Sequence, residues 1–267
     1  MSCTNIHAHT HTYTYIYAHT QKMIQIENID IEDIEDTKPK ASSKTLKPPK
    51  KSKPKMSLEE RNRLKDFKRN RSVYIMTTRF NNSNCKINRE YIHEKGKHNN
   101  NMKCIYCSPY QIAREIPLES KIFVLEMNND TNKIMGIGMI RNHHHNYKFS
   151  VYDTNKSYHR FTYVGNYNIR RQEMSVEENV LLQYLDRKCF YGNHHLKRGR
   201  GLTQLPCSLQ YDLIHKMNFD VSQFIKIMFR KRFSKRNNTN NTNHTNHTNH
   251  TNHTNNTNNT NNTEAMK

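Results

Sequence analysis

Residues 121–141, KIFVLEMNNDTNKIMGIGMIR, contain the clearest structural pattern in the chain. They begin with the continuous apolar run IFVL, which is typical of a strand covered on both faces. Asn128 to Asn132 has turn chemistry, and Lys133 to Arg141 predicts a second strand that returns beside the first. Gly136 and Gly138 fall on one face of that strand, where the bare backbone admits a close neighbour, by default a helix.

Further elements are predicted on both sides of this strand pair. Ser57 and Ser175 each begin a capping box and predict helices, and two shorter helices are expected after Pro206 and Asp220. A polar, asparagine-rich loop is expected between the first strand and Asn101. The remaining predicted strands are Val73–Thr78, Tyr147–Tyr152 and Arg160–Ile169.

These elements predict an α+β fold: a curved, mostly antiparallel sheet, or a small open barrel, of about five strands with helices packed on one side. We expect disordered tails, because the end segments carry too little apolar surface to fold. The predicted organisation is residues 1–56, repeat-like, then acidic, then rich in Lys and Pro; a basic helix at 57–71; one α+β domain at 72–233; and an Asn/Thr/His low-complexity tail at 234–267.

The charge of the chain is strongly positive and unevenly spread. The formal net charge is +20, and residues 72–233 alone hold 25 Lys and Arg against 13 Asp and Glu. The electrostatic field of so many positive charges attracts polyanions, and salt screens this attraction, so nucleic acid is the first partner to consider. The alternative interpretation is a surface whose lysines only keep the protein soluble.

Residues 197–201, Lys-Arg-Gly-Arg-Gly, combine the densest positive charge with conformational freedom. Lys197, Arg198 and Arg200 offer donors suited to phosphate, and Gly199 and Gly201 permit backbone angles closed to other residues. The sequence therefore predicts an anion-binding loop.

Aromatic and basic residues alternate in the predicted strands that precede this loop. We expect Arg170 and Arg171 to contact phosphates beside the loop, and Tyr163 or Tyr167 to stack on bases. The alternative is that these rings belong to the core.

Cysteine spacing raises zinc as a further possibility. Cys104 and Cys107 have the spacing of a zinc knuckle, and Cys85 and His98 are weak candidates to complete a tetrahedral set. Reduced, half-buried cysteines are the favoured interpretation, so no cofactor is expected.

The sequence also favours certain compartments. Six cysteines at irregular spacing, the lack of a secretory signal and the lack of a membrane-length apolar run favour the nucleus or cytoplasm and give no reason to expect a membrane partner.

Lys121–Ile169 resembles the PUA-like small barrels, the group that includes the EVE and ASCH domains. The resemblance is carried by Ile122 to Leu125 and by Ile134 to Gly138. It implies a curved barrel that binds RNA or modified bases.

Arg198-Gly199-Arg200-Gly201-Leu202-Thr203 is similar to the R-x-x-G-x-G/A motif of the GNAT family of N-acetyltransferases. In that family, backbone amides of this loop and of the following helix hold the pyrophosphate of acetyl-CoA. This second resemblance implies an acyltransferase that binds acetyl-CoA at Arg198–Thr203.

The function that the sequence favours is non-catalytic binding of RNA or DNA through the basic loop of a PUA-like domain. An acyltransferase and a structural or assembly protein are the two alternatives.

Overall fold

The computed structural model describes residues 56–96, 101–152 and 156–234, so the predicted tails lie almost entirely outside the described residues. Short 3-10 helices cover Lys156–Arg160 and Arg171–Glu173. The main elements in chain order are α1 (Leu58–Asn70), β1 (Tyr74–Phe80), α2 (Asn82–Gly96), β2 (Cys104–Ser108), β3 (Lys121–Asn128), β4 (Lys133–Arg141), β5 (Phe161–Gly165), β6 (Tyr167–Arg170), α3 (Val176–Phe190), β7 (Thr203–Gln204), α4 (Cys207–Met217) and α5 (Val221–Phe233).

A mixed five-stranded sheet forms the centre of the fold, in the order β6-β4-β3-β1-β7. β1 and β3 run parallel, and the other three pairings are antiparallel. The sheet is not closed into a barrel, and the predicted α+β class is confirmed. The predicted strand pair is also confirmed, with Lys121 opposite Arg141 and a change of register between Leu125 and Met127.

One face of the sheet is covered by the antiparallel pair β2 and β5. Met76, Val124 and Ile140 from the sheet share a buried cluster with Tyr106 and Tyr163 from that pair. A methyl group on Gly138 would collide with the Tyr106 ring and hydroxyl. The neighbour admitted by the bare glycine patch is therefore a tyrosine from a strand, not a helix.

The opposite face packs against α3. Asp186 of α3 accepts a 2.6 Å hydrogen bond from the Ile134 amide at the start of β4. The Ser175–Glu178 capping box that predicted this helix is present, with the Glu178 amide donating to Ser175 Oγ and the Ser175 amide donating to Glu178. Local capping and an apolar stripe therefore agree with the tertiary packing of α3.

Three predictions about secondary structure are wrong. The asparagine-rich loop after β1 is the helix α2, whose apolar stripe is interrupted because the inward-facing Asn88 donates to the Ile105 carbonyl at 3.0 Å. Tyr147–Tyr152 is not a strand, because Tyr147 has φ 49° and the Tyr152 amide donates to His159. Arg160–Ile169 divides into β5 and β6, which belong to different sheets.

The C-terminal end of α5 belongs to a second compact unit that begins at Met228. Its described part comprises residues 228–234, in which Phe229 and Phe233 contact each other with ring centroids 5.6 Å apart. The start of α5 has the predicted cap, since the Asp220 carboxylate accepts from the amides of Ser222 and Gln223 at 2.9 and 3.0 Å.

Candidate nucleic-acid interface

The basic loop, Leu196–Gly201, connects α3 to the edge strand β7. The Leu196 amide donates to the Cys189 carbonyl at 2.7 Å, which ties the start of the loop to the end of α3. β7 follows and pairs with β1, with Thr203 opposite Thr77. The loop is therefore held at both ends, beside the carboxyl end of β1.

Arg79, the penultimate residue of β1, lies beneath the basic loop and holds it in shape. Its Nε donates to the Leu196 carbonyl at 2.6 Å and its Nη2 to Thr77 Oγ1 at 2.9 Å. Its Nη1 lies 3.5 Å from the Gly201 carbonyl, so one guanidinium reaches both ends of the loop. Gly199 covers this group closely, and a methyl group there would collide with the guanidinium carbon.

The charge of Arg79 is half-buried without an anion beside it. Burial lowers the pKa of Arg79 to about 10, so the side chain remains charged at neutral pH. Within the described residues its hydrogen bonds go only to carbonyl and hydroxyl oxygens. None of these acceptors carries a charge, so no carboxylate of the described residues balances the positive charge of Arg79 beneath the loop.

Lys197 lies against the turn between β3 and β4. Its Nζ donates to Asn132 Oδ1 at 2.8 Å, and its carbonyl accepts from Asn129 Nδ2 at 3.2 Å. Asp130, the acid in the same turn, accepts from the Asn82 amide at 2.7 Å. Lys197 is thus positioned by neutral amide groups, which do not neutralise its positive charge.

Arg198 and Arg200 are exposed, and in the described part of the chain neither guanidinium has a hydrogen-bond or ion-pair partner. Together with Arg79 and Lys197, they place four cations on one short segment and its support. Guanidinium groups bind phosphate oxygens in a bidentate manner, whereas the lysine acts as a point charge. The arrangement is chemically suited to a ligand that bears phosphates.

The two loop glycines have different roles. Gly201 has φ +62°, in the left-handed region, and rests against Ser108 and Pro109. Gly199 has no such backbone angle and is needed because the Arg79 guanidinium lies against it. The prediction that both glycines supply unusual backbone angles is therefore correct for Gly201 only.

Arg170 and Tyr167 do not lie beside the basic loop. Both are on β6, the edge strand opposite β7. Four strand spacings of about 4.8 Å separate β6 from β7, the strand that follows the loop, by roughly 19 Å. β6 pairs with β4 and not with the basic loop.

Arg171 belongs to the interior packing of the sheet. Its Nη1 donates to Asp186 Oδ2 at 2.7 Å and to the Ile134 carbonyl at 3.0 Å, and the two paired side chains are only 16% and 11% exposed. Burial raises the pKa of Asp186 in spite of this partner. Arg171 is therefore neutralised by the protein's own carboxylate, which contradicts its predicted role as a phosphate contact.

Tyr163 is fully buried, and its hydroxyl accepts a hydrogen bond from the Ile112 amide at 2.9 Å. It is a core residue, because a ring without accessible surface cannot stack on a base. The exposed aromatics next to the basic loop are instead Tyr110 and Tyr191, which no pattern in the sequence predicted. The available signal was position: Pro109-Tyr110 follows a strand, and Tyr191 follows the last helical residue of α3.

The cysteines at the zinc-knuckle spacing point to opposite sides of β2. Cys104 belongs to the cluster with Tyr106, whereas Cys107 packs with Phe149 and Val151. Burial raises the pKa of Cys104 and brings that of Cys107 to about 12, so both thiols are protonated at neutral pH. Two thiols on opposite faces of one strand cannot bind the same ion.

The other weak metal candidates are Cys85 and His98. Cys85 lies on α2 beside the Tyr106 cluster, and burial raises the pKa of its thiol. His98 lies outside the described residues. Within residues 56–96, 101–152 and 156–234, no group of three or more His, Cys, Asp or Glu side chains is arranged to hold a metal ion.

The backbone amides after the basic loop are occupied by the protein. The Leu202 amide lies 3.5 Å from Ser108 Oγ, and the Leu205 amide donates to the Ile75 carbonyl at 2.9 Å. α4 begins only at Cys207, with Pro206 at its N-cap. In the GNAT motif, amides of this segment would face a pyrophosphate.

Comparison with known proteins gives no relative for this chain: no family, no curated protein and no solved structure matches it.

None of the described helices combines the length and apolar character needed to cross a membrane.

Proposed function

We propose that this protein binds RNA or DNA without chemically altering it, and that the basic loop is its phosphate-binding site. The observation that carries the proposal is the set of four cations, Arg79, Lys197, Arg198 and Arg200, whose described partners include no carboxylate. Phosphate contacts supply most of the affinity of proteins that bind nucleic acid without sequence preference. A phosphate backbone can supply the anions that this segment lacks.

The position of the loop supports the same proposal. Arg79 and the turn between β3 and β4 brace the loop through its backbone and through the Lys197 side chain, so Arg198 and Arg200 extend from an ordered support. Ordering the support in advance reduces the entropy lost when a ligand binds. Residues 72–233 add a surplus of 12 positive charges, which attracts a polyanion from a distance.

A nuclear or cytoplasmic location is part of this proposal, because nucleic acid is found in both compartments. All five cysteines that the structure describes are free thiols, as suits a reducing environment.

The test is a titration of the full chain with labelled RNA and DNA at several salt concentrations. Replacing Lys197, Arg198 and Arg200 with alanine should weaken binding and reduce the slope of log K against log salt by about 2–3, since each lost phosphate contact removes about 0.7–0.9. The variant should remain folded, because the three replaced side chains contribute little to the core. Far-UV circular dichroism of the variant checks its folding.

The matched control is the variant Arg61→Ala, Lys65→Ala, Lys68→Ala on α1. These residues are exposed, and their side chains have no partner among the described residues, so the same three charges are lost elsewhere. The control should retain most of the affinity. An equal loss in both variants would show that net charge alone drives binding and would refute the site, and no affinity for either nucleic acid at low salt would refute the function.

A further inference from the structure

Two exposed tyrosines lie at the two ends of the basic loop. Tyr191 caps the end of α3, two residues beyond the Cys189 carbonyl that accepts from the Leu196 amide. Tyr110 follows Pro109, against which Gly201 rests at the other end of the loop. The side chains are 59% and 63% exposed, large fractions for aromatic rings.

Backbone hydrogen bonds hold the two tyrosines in place, so their ring faces and hydroxyl groups are not needed for this. Ser108 Oγ donates to the Tyr110 carbonyl at 2.6 Å and accepts from the Tyr110 amide at 3.2 Å, which fixes the backbone that carries the ring. The Tyr191 amide donates to the Arg187 carbonyl at 3.2 Å. Among the described residues, neither ring makes a stacking contact and neither hydroxyl has a hydrogen-bond partner.

From this arrangement we infer that the basic loop binds single-stranded nucleic acid in preference to a duplex, with unpaired bases stacked on Tyr110 and Tyr191. The inference rests on the proposed function and names its substrate class. A cationic segment flanked by aromatic rings is how proteins bind single strands without reading their sequence: cations follow the backbone and rings stack on base faces.

A duplex would leave these tyrosines unused. Base faces in a duplex are covered by neighbouring base pairs, so an aromatic side chain can stack only where a base is unpaired or extruded. The basic loop itself is a short irregular segment, whereas duplex grooves are usually read by a helix or a two-stranded ribbon. A helix such as α1, which exposes Arg61, Lys65 and Lys68, has a shape that can meet a duplex groove.

The experiment compares a labelled single strand of about 12 nucleotides, a length within the usual range of single-strand sites, with a duplex of the same sequence. Full-length protein is titrated with each at one fixed salt concentration. The ring-removing variants are Tyr110→Ala and Tyr191→Ala, each paired with its Phe variant, which keeps the ring. Tyr147→Ala is the matched control, because Tyr147 is 66% exposed but lies between β4 and β5.

We expect tighter binding of the single strand, and about a tenfold loss of that affinity for each Ala variant. Both Phe variants and Tyr147→Ala should bind as the original protein does, and duplex binding should not change in any of them. Equal affinity for both forms with no effect of ring removal would overturn the inference while leaving the proposed function in place. Binding of duplex alone, lost in the α1 control variant, would also overturn it, and binding of neither form would reject the proposed function as well.

Discussion

Alanine substitution of three glycines in and before the basic loop separates backbone strain from crowding. Gly192 and Gly201 both have φ in the left-handed region, at +78° and +62°. A methyl group on Gly192 would meet nothing within 4 Å, whereas one on Gly201 would collide with Ser108 and Pro109. Gly199 has an ordinary backbone angle, and its methyl group would collide with the Arg79 guanidinium.

The expected losses of stability follow from these contacts. Gly192→Ala should cost about 1–2 kcal/mol, the penalty of a left-handed backbone for a residue with a Cβ atom. Gly201→Ala adds overpacking of about 1–3 kcal/mol, for a total of about 2–5 kcal/mol. Gly199→Ala should cost about 1–3 kcal/mol. It should also displace the Arg79 side chain, because the 2.6 Å bond to Leu196 ties that group to the loop.

Urea unfolding followed by circular dichroism measures the free energies, provided that the slope against urea is unchanged among the variants. Nucleic-acid titration of the same proteins should show weaker binding for Gly199→Ala and Gly201→Ala and normal binding for Gly192→Ala. Equal stability of Gly192→Ala and Gly201→Ala would contradict the packing of the loop on Ser108. Unchanged stability and affinity of Gly199→Ala would contradict the role of Arg79 as its anchor.

Two further predictions concern buried charges. Arg171→Met should destabilise the protein by about 3 kcal/mol and leave nucleic-acid affinity unchanged. This loss is at the low end of the range for breaking a buried ion pair, because the partner Asp186 keeps 11% exposure. A variant with normal stability and weak binding would instead restore Arg171 as a phosphate contact. Glu126 is half-buried and accepts from Tyr106 and Asn168 at 2.7 Å each, and its removal from solvent raises its pKa above 4.5. The folded state therefore holds a proton that the unfolded state has lost, so stability should fall as pH rises from about 4.5 through the raised pKa. Glu126→Gln should remove this slope in urea unfolding measured between about pH 4 and 8, and an identical pH dependence in both proteins would show that Glu126 is not its source.

Features that depend only on residues close together in the sequence could be predicted from it. The capping boxes at Ser57 and Ser175 placed the starts of α1 and α3, because a serine and a glutamate three residues later satisfy each other's backbone amides wherever the helix lies. The β3–β4 pair was also predictable, because strand periodicity and turn residues specify a hairpin locally. Helix α2 was missed because Asn88, at a buried position of its face, hydrogen-bonds to β2, a segment that the helix meets only after folding.

By itself, the sequence determined the fold class, the surplus of positive charge and the position of the basic loop along the chain. The tertiary structure decided which charges and rings act together. Strand order placed Arg170 on the edge strand opposite β7, Asp186 neutralised Arg171, and the core covered Tyr163. Arg79 entered the site because parallel pairing of β1 with β3 and the return of β7 bring distant segments to the same place. Periodicity reports which face a residue occupies within its own element, but contacts between elements depend on how the whole chain is arranged in space.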